Sequence, residues 1–446
     1  MIRSIASIAI AIAAVFLTSC SSSVGPLNAS SQEGGLGHER VNLEWWRQLN
    51  DPNLNQDIAS AFSENPHLQE VALRIERANA GVSQARASGL PHVNLGFGYE
   101  LGRREEVDFG PYDIPEWRSR AGLSWEIDVT GKLRAAQRAA SATREAAVWD
   151  VHAARLLLAS RIASTRLSLY RLNREIGLSI QLKDAAQHTL ESLIDRSQAG
   201  LIPDSLLDEQ RAEIERVKRA QFELERARNL AVVQLRTLRG GSNPSNTARS
   251  NFPAEFSFSS RSYAELLSSH PRVLAAEARV RAAFQLQNAA SLDLLPSFQI
   301  NLLADGGQAS LVENFRVWTA RVGPSLNIPI YDPSRLSALE AHRAEAKIAA
   351  AEYRQTVLTT LQEIDSARIN LISRRSQLAT AEKETQSLAS SKKGAHEQFT
   401  AGLISQIEYL DTEQQWLEST RNQTSLHQAM LEAQLNLLVS TGGGRL

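Results

Sequence analysis

Cysteine is all but missing from this chain of 446 residues, which has a single thiol, Cys20. One cysteine excludes intrachain disulfides and a thiolate zinc cage, and it makes the position of that residue informative. Long apolar runs are missing too. Nowhere does the sequence hold the 18 or more consecutive apolar residues that membrane-spanning helices require, so a bundle of such helices is excluded. Net charge is also missing, because 48 Lys+Arg stand against 49 Asp+Glu. With no basic block to follow a phosphate backbone, no nucleic acid is expected as a partner. Catalytic constellations are missing as well. The 9 His are scattered, and there is no HExxH pair, P-loop or GxSxG elbow, so the sequence predicts no enzyme, no cofactor and no metal site. His152, His188 and His342 read as helix-surface residues, and Glu215 with Arg219 as a solvated helix pair.

What is present begins with a leader. Arg3 precedes an apolar run from Ile5 to Leu17, the charged and apolar regions of a secretory signal, which assigns residues 1–19 to a signal peptide. The run ends in Leu17-Thr18-Ser19-Cys20, which resembles a bacterial lipobox, where the cysteine after a small-residue cleavage site receives diacylglycerol. Cys20 is therefore the expected lipidation and palmitate site, in preference to a buried free thiol. Ser21 stands where an Asp would favour retention at the inner membrane. The resemblance implies an anchor in the periplasmic leaflet of the outer membrane, with residues 20–40 as a lipidated tether, flexible from Ser21 to Ser31.

Proline is unevenly spread. None occurs between Pro115 and Pro203 or after Pro333, and Ala, Leu, Arg, Glu and Gln dominate both stretches, which read as long helices. Asn65-Pro66-His67 through Leu90-Pro91-His92 is echoed by Ser269-His270-Pro271 through Leu295-Pro296-Ser297, a proline opening and a Leu-Pro closing an amphipathic helix each time. Trp125-Glu126-Ile127-Asp128 matches Ile328-Pro329-Ile330-Tyr331, and Ala199-Gly200-Leu201-Ile202 matches Ala401-Gly402-Leu403-Ile404. The chain is internally duplicated. The expected division is 41–240 for a first repeat, 241–261 for a linker that becomes an equatorial segment, and 262–446 for a second repeat.

Each repeat predicts a helix, two strands, a very long helix, a Gly-Leu-Ile turn and a further long helix. Val93, Leu95, Phe97, Tyr99 and Leu101 alternate onto one face of the first strand, and Trp318, Ala320, Val322 and Leu326 onto one face of the last, a pattern that suits a sandwich or a membrane barrel and alone favours the sandwich, the commoner object. Gly102 to Glu116 and Asp305 to Asn314 read as exposed loops. After each turn runs a heptad ladder, Leu207, Ile214, Gln221, Arg228, Leu235 in one copy and Leu403, Leu410, Leu417, Thr424, Leu431, Leu438 in the other, which predicts coiled-coil packing with one wet surface.

Trp45-Trp46-Arg47 with Asp51-Pro52-Asn53-Leu54, Asn65-Pro66, Trp125-Glu126-Ile127-Asp128, Pro324-Ser325-Leu326 with Pro329-Ile330-Tyr331-Asp332, and Tyr353 with Glu363 form an ordered series. It resembles the outer membrane factor family, the TolC-like exit ducts of tripartite systems, in the lipoprotein branch that serves resistance-nodulation-division (RND) pumps. The resemblance runs from Cys20 to Ser440. Val129-Thr130-Gly131 departs from the Phe-Gly the family often carries there.

The resemblance implies a fold that is mainly α with a small β part: a long α-helical coiled-coil barrel plus four transmembrane β-strands per protomer, completed in a homotrimer as a barrel of about twelve strands. It implies an outer-membrane, lipid-anchored exit duct with a long periplasmic extension, passing small toxic compounds from a periplasmic adaptor (membrane fusion) protein and an inner-membrane pump of RND type, with outer-membrane lipid as its surroundings. A duct for type I protein secretion and a periplasmic coiled-coil rod without a pore are the alternatives. Ala199, Gly200, Leu201 and Ala401, Gly402, Leu403 match the tips that meet the adaptor, although helix capping alone also accounts for them. Ile407, Asp411 and Gln414 match the periplasmic gate, where three Asp411 carboxylates would form a ring; an exposed helix carboxylate is the plainer account.

Overall fold

Four helices begin at a proline, and in each the preceding side chain takes an N–H that the first turn leaves free. In the computed structural model, which describes residues 44–106, 110–256, 262–309 and 316–443, Asp51 accepts from Asn53 N at 3.0 Å, Asn65 from Leu68 N at 3.1 Å, His270 Nδ1 from Arg272 N at 3.2 Å and Asp332 from Ser334 N at 3.0 Å. Proline at the first helical position costs no hydrogen bond, and the polar cap stabilises the start by about 1 kcal/mol. The leader, Cys20 and the tether lie outside the described residues.

After a 3-10 turn at Trp45–Leu49 come α1 (Pro52–Glu64), α2 (Pro66–Ala87), β1 (His92–Glu106), β2 (Gly110–Ile127), α3 (Lys132–Gln198) and α4 (Ser205–Leu238). A similar order follows: α5 (Tyr263–Ser269), α6 (Pro271–Leu292), β3 (Ser297–Ala309), β4 (Arg316–Asn327), α7 (Pro333–Thr400) and α8 (Gln406–Ser440). The short helices α1 and α5 are additions to the expected plan. With 67 and 68 residues, α3 and α7 each run about 100 Å.

The strands form one antiparallel sheet in the order β1-β2-β3-β4. Directly opposed residues share a face. One face carries Val93, Leu123, Leu302 and Val322 in a row, then Leu95, Ala121, Ala304 and Ala320, with Trp125 and Ile300 and then Ile127, Phe298 and Leu326 on the other side of the first row. The opposite face carries Asn94, Gly122 and Arg321, with Arg120 bonded to Asp305 at 2.8 Å and Asn301 to Ser325 at 2.9 Å. The side chains of Leu101 and Trp318 lie outside the described set. The expected loops need correction. β1 runs to Glu106, β2 starts at Gly110 and β3 continues to Ala309, so much of Gly102 to Glu116 and Asp305 to Ala309 is paired strand. Ladder hydrogen bonds hold a hairpin together whether or not its side chains are apolar, and polarity hid these residues from an alternation test.

The helices form a layer. α3 packs along α2, α4, α6 and α8, and α7 packs along α6 and α8. At the strand end the order is α2, α3, α6, α7, and farther away it is α4, α3, α8, α7. Where α4 stops, α2 starts: Asn65 Nδ2 donates to Leu238 O at 2.8 Å, and a Cβ on Gly240 would strike the Glu64 carbonyl. Where α8 stops, α6 starts, with Gly442 against His270 and Pro271. The ladders fill the seams. Leu207, Ile214, Leu235, Leu410, Leu417, Thr424, Leu431 and Leu438 are buried, Gln221 and Arg228 are half-buried, and only Leu403 is exposed. The main core gathers at the junction of these segments, where Trp45 meets Trp46 edge-on and packs on Phe256.

Candidate functional site

Both hairpin tips end in the same backbone device. At the end of α3, Gly200 N donates to Ser197 O at 2.8 Å and Leu201 N to Arg196 O at 2.9 Å; at the end of α7, Gly402 N donates to Phe399 O and Leu403 N to Gln398 O, both at 2.9 Å. This pair of bonds is the Schellman motif, which needs a left-handed residue after the helix, supplied by Gly200 at φ +74 and Gly402 at φ +71. Ala199 and Ala401 are the preceding cap residues. The two leucines close no buried contact: Leu201 and Leu403 are 72% and 76% exposed. The structure thus has the capping role and leaves two apolar side chains in solvent at the hairpin ends.

α8 starts beside the second tip with a capping box, Ser405 and Glu408, whose carboxyl the Ser405 N–H holds below the usual carboxylate range. Ile407, Asp411 and Gln414 lie along one stripe of this helix, half-buried, exposed and half-buried respectively. Asp411 accepts from Gln415 Nε2 at 2.9 Å. The opposite side of the same turns is locked onto α7: Tyr409 stacks on Phe399, and Lys392 bonds Glu413 at 2.6 Å with its ammonium over the Trp416 ring.

A buried ionic hub at the other end of α4 went unseen in the sequence. Asp57 on α1, fully buried, takes Arg166 Nε of α3 at 2.6 Å, Arg239 Nη1 at 2.8 Å and Ser245 Oγ at 3.0 Å. Arg166 also donates to Asn246 O at 2.8 Å and Ser245 O at 2.5 Å. Beside it Asp51 pairs with Arg249 at 3.0 Å and accepts from the Tyr170 hydroxyl; burial and that carboxylate push the phenol above its ordinary range. These bonds fasten the segment after α4 across α1 and α3.

The strand-to-helix exits differ between copies. Asp128 binds the N–H groups of Leu133 and Arg134 and the Arg134 side chain, six positions on, whereas Asp332 binds Ser334 N and the Arg335 side chain, three positions on. Val129-Thr130-Gly131, with Gly131 at φ +86, is the added stretch. It corrects the sequence match as well, since Asp128 corresponds in role to Asp332 and not to Tyr331. Asp293, at the end of α6, ties both exits together, reaching Lys132 at 3.2 Å and Arg335 at 3.5 Å. The surface pair also shifts: Glu215 meets Lys218 at 2.7 Å in place of Arg219. His188 and His342 pair with Glu191 and Glu345 on helix surfaces, while His152 packs half-buried against Trp149.

The sequence profile of the outer membrane efflux protein family, OEP, matches residues 58–241 and again 262–443. The chain belongs to this family. The pyoverdine export outer membrane protein OpmQ of Pseudomonas putida is 26% identical to it, over 90% of this chain and 88% of its own length. A probable outer membrane lipoprotein, SilC of Salmonella typhimurium, is 23% identical over 90% and 88%. The solved outer-membrane channel OprN superposes with a TM-score of 0.80 at 21% identity, covering 91% of this chain and 93% of the channel. The fold is therefore that of the TolC-like channels, and the chain is an outer membrane efflux protein with a long helical layer beside its four strands.

Proposed function

We propose that three copies of this chain close into a passive duct that receives small toxic compounds from a periplasmic adaptor and an RND-type inner-membrane pump, with no chemical step of its own. The two open edges carry this reading. Among the described residues β1 and β4 each have a partner on one side only, and an unpaired ladder facing hydrocarbon costs several kcal/mol per group, so a sheet of four strands is stable in a bilayer only when neighbouring copies pair its edges. Three chains give about twelve strands, within the range of outer-membrane barrels.

The helix layer supports a ring too. Its outermost helices expose apolar side chains, Phe222, Leu230 and Val233 on α4 and Leu358, Ile369 and Ile372 on α7, each half or more exposed. Two different edges that suit one another form head-to-tail contacts, and such contacts close into cyclic assemblies. In that ring the tips Gly200-Leu201 and Gly402-Leu403 would offer the adaptor its apolar contacts, Ile407, Asp411 and Gln414 would surround the periplasmic mouth, and Cys20 would hold acyl chains, as the name of SilC suggests for that relative.

The test is functional reconstitution. The purified protein should run as a trimer, give single-channel currents in planar bilayers, and restore resistance to a pumped drug when expressed with its adaptor and pump. A non-conducting monomer would sink the duct. Restoration of polypeptide export alone would assign it to type I secretion. Radioactive palmitate should label the wild type and not Cys20→Ser.

A further inference from the structure

Buried positions recur every seven residues along α7 where it faces α8: Leu371, Leu378 and Thr385, the last with its hydroxyl 2.8 Å from that of Ser419. The next steps of this seam, Lys392 and Phe399, break the pattern. Ala389, one turn before Lys392 on the same face, adds only a methyl group. The seam is not filled here. A cleft of about 330 Å³ opens between the two helices, lined by Ala389, Lys392, Lys393, His396, Tyr409 and Trp416.

Its walls are of two kinds. Tyr409 and Trp416 of α8 bring aromatic rings, and the His396 ring of α7 lies 5.3 Å from that of Tyr409, tilted by 53°. Two lysines bring positive charge, and no carboxylate lines the cleft among the described residues. Lys392 is already engaged, bonded to Glu413 at 2.6 Å and seated 4.1 Å over the Trp416 ring. Lys393 is exposed and has no ion pair or hydrogen bond among the described residues.

Size and charge together select an occupant. Ligand clefts run from about 300 to 1,000 Å³, so this one is small, and one turn of an α-helix, about 10 Å across and 5.4 Å long, is too large to sit within it. Flat rings stack offset or edge-on against Tyr and Trp. A carboxylate beside such a ring would reach the unpaired ammonium of Lys393 in a charge-assisted bond, whereas a cation would be repelled by two lysines.

We propose that this cleft is a binding site for a planar aromatic anion of one or two fused rings, its ring against Tyr409 and Trp416 and its acid group on Lys393. The cleft lies on the side of α8 turned away from Ile407, Asp411 and Gln414. All six lining residues belong to one chain, so the inference goes beyond the duct and does not depend on it.

Full-length protein in lipid nanodiscs can be titrated with naphthoate and with its neutral isostere naphthamide by isothermal titration calorimetry, with empty nanodiscs giving the partition into lipid. Naphthoate should bind the wild type, and naphthamide about tenfold more weakly, since a hydrogen bond to a charged group is worth that factor or more. Lys393→Gln, at an exposed position, should bring naphthoate down to the affinity of the amide and leave the amide unchanged. Trp416→Leu, which keeps an apolar side chain, should weaken both. Absent binding of naphthoate to the wild type, or equal affinity in Lys393→Gln, overturns the site, and equal affinity for the two compounds overturns its preference for anions. Cross-linking of the adaptor through Lys393→Cys in a Cys20→Ser background, undisturbed by naphthoate, also overturns it, because a partner protein then covers the cleft.

Discussion

Arg166 Nε lies 2.6 Å from a carboxylate oxygen of Asp57, and neither side chain reaches solvent. Removing one partner of a buried ion pair strands the other charge and costs about 3–5 kcal/mol. Asp57→Ala, which strands both Arg166 and Arg239, should therefore lower the melting temperature of the protein measured by circular dichroism. An unchanged melting curve would mean that water or main-chain groups satisfy the arginines equally well.

The hairpin tips separate folding from docking. Forcing an L-residue into the left-handed conformation of Gly200 and Gly402 costs about 1–2 kcal/mol each, and open space surrounds both glycines. Gly200→Asp with Gly402→Asp should leave the protein folded, with a modest loss of stability, and weaken adaptor docking. Adaptor cross-linking and drug efflux that both persist in the double variant would reduce the tips to structural turns.

At the proposed mouth, sterics and charge can be told apart by salt. Ile407→Gly should raise single-channel conductance by removing an apolar plug. Asp411→Lys should lower cation preference, and this effect should fade at high salt, because exposed charges are screened within about 10 Å at 0.1 M. Unchanged currents in both, from confirmed trimers, would place the gate elsewhere.

His270 offers a test in pH. Burial, with Arg272 nearby, pushes this histidine from its ordinary value of 6.5 down to about 4. In that window the unfolded chain binds the proton and the folded one does not, so stability rises with pH and is fully present above 6.5, falling as pH drops towards 4. Asn65 caps the equivalent helix in the first copy, which makes His270→Asn a substitution that keeps the cap. Stability of this variant should vary less between pH 4 and 6.5 than that of the wild type in chemical denaturation. An identical slope would assign the dependence to other groups.

Much of this was legible in sequence because the signals are local. A proline after Asn65 or His270 names a helix start, Gly200 and Gly402 name helix ends, and Val93, Leu95 and Phe97 name a strand face. The hub was not legible. Asp57 finds its arginines 109 and 182 positions away, and a buried Arg166 on α3 has the same helical spacing as its solvated neighbours. The upper strand ends escaped for a related reason: polar residues above an apolar band pair their backbones without leaving a hydrophobic trace. At the exits, one added turn displaced the apparent match, since Tyr331 occupies the place where identity, but not capping role, would put Asp128.

The end-on meetings of Gly240 with Glu64 and of Gly442 with His270 act as splices. At each, one helix hands its place in the layer to the next, so the chain keeps four helices abreast on either side of the joint. Four helices then stand below four strands. In a closed ring this one-to-one count would let a wall of constant thickness pass from sheet to helix with no change in the number of staves, and a bore could continue through the joint without a step.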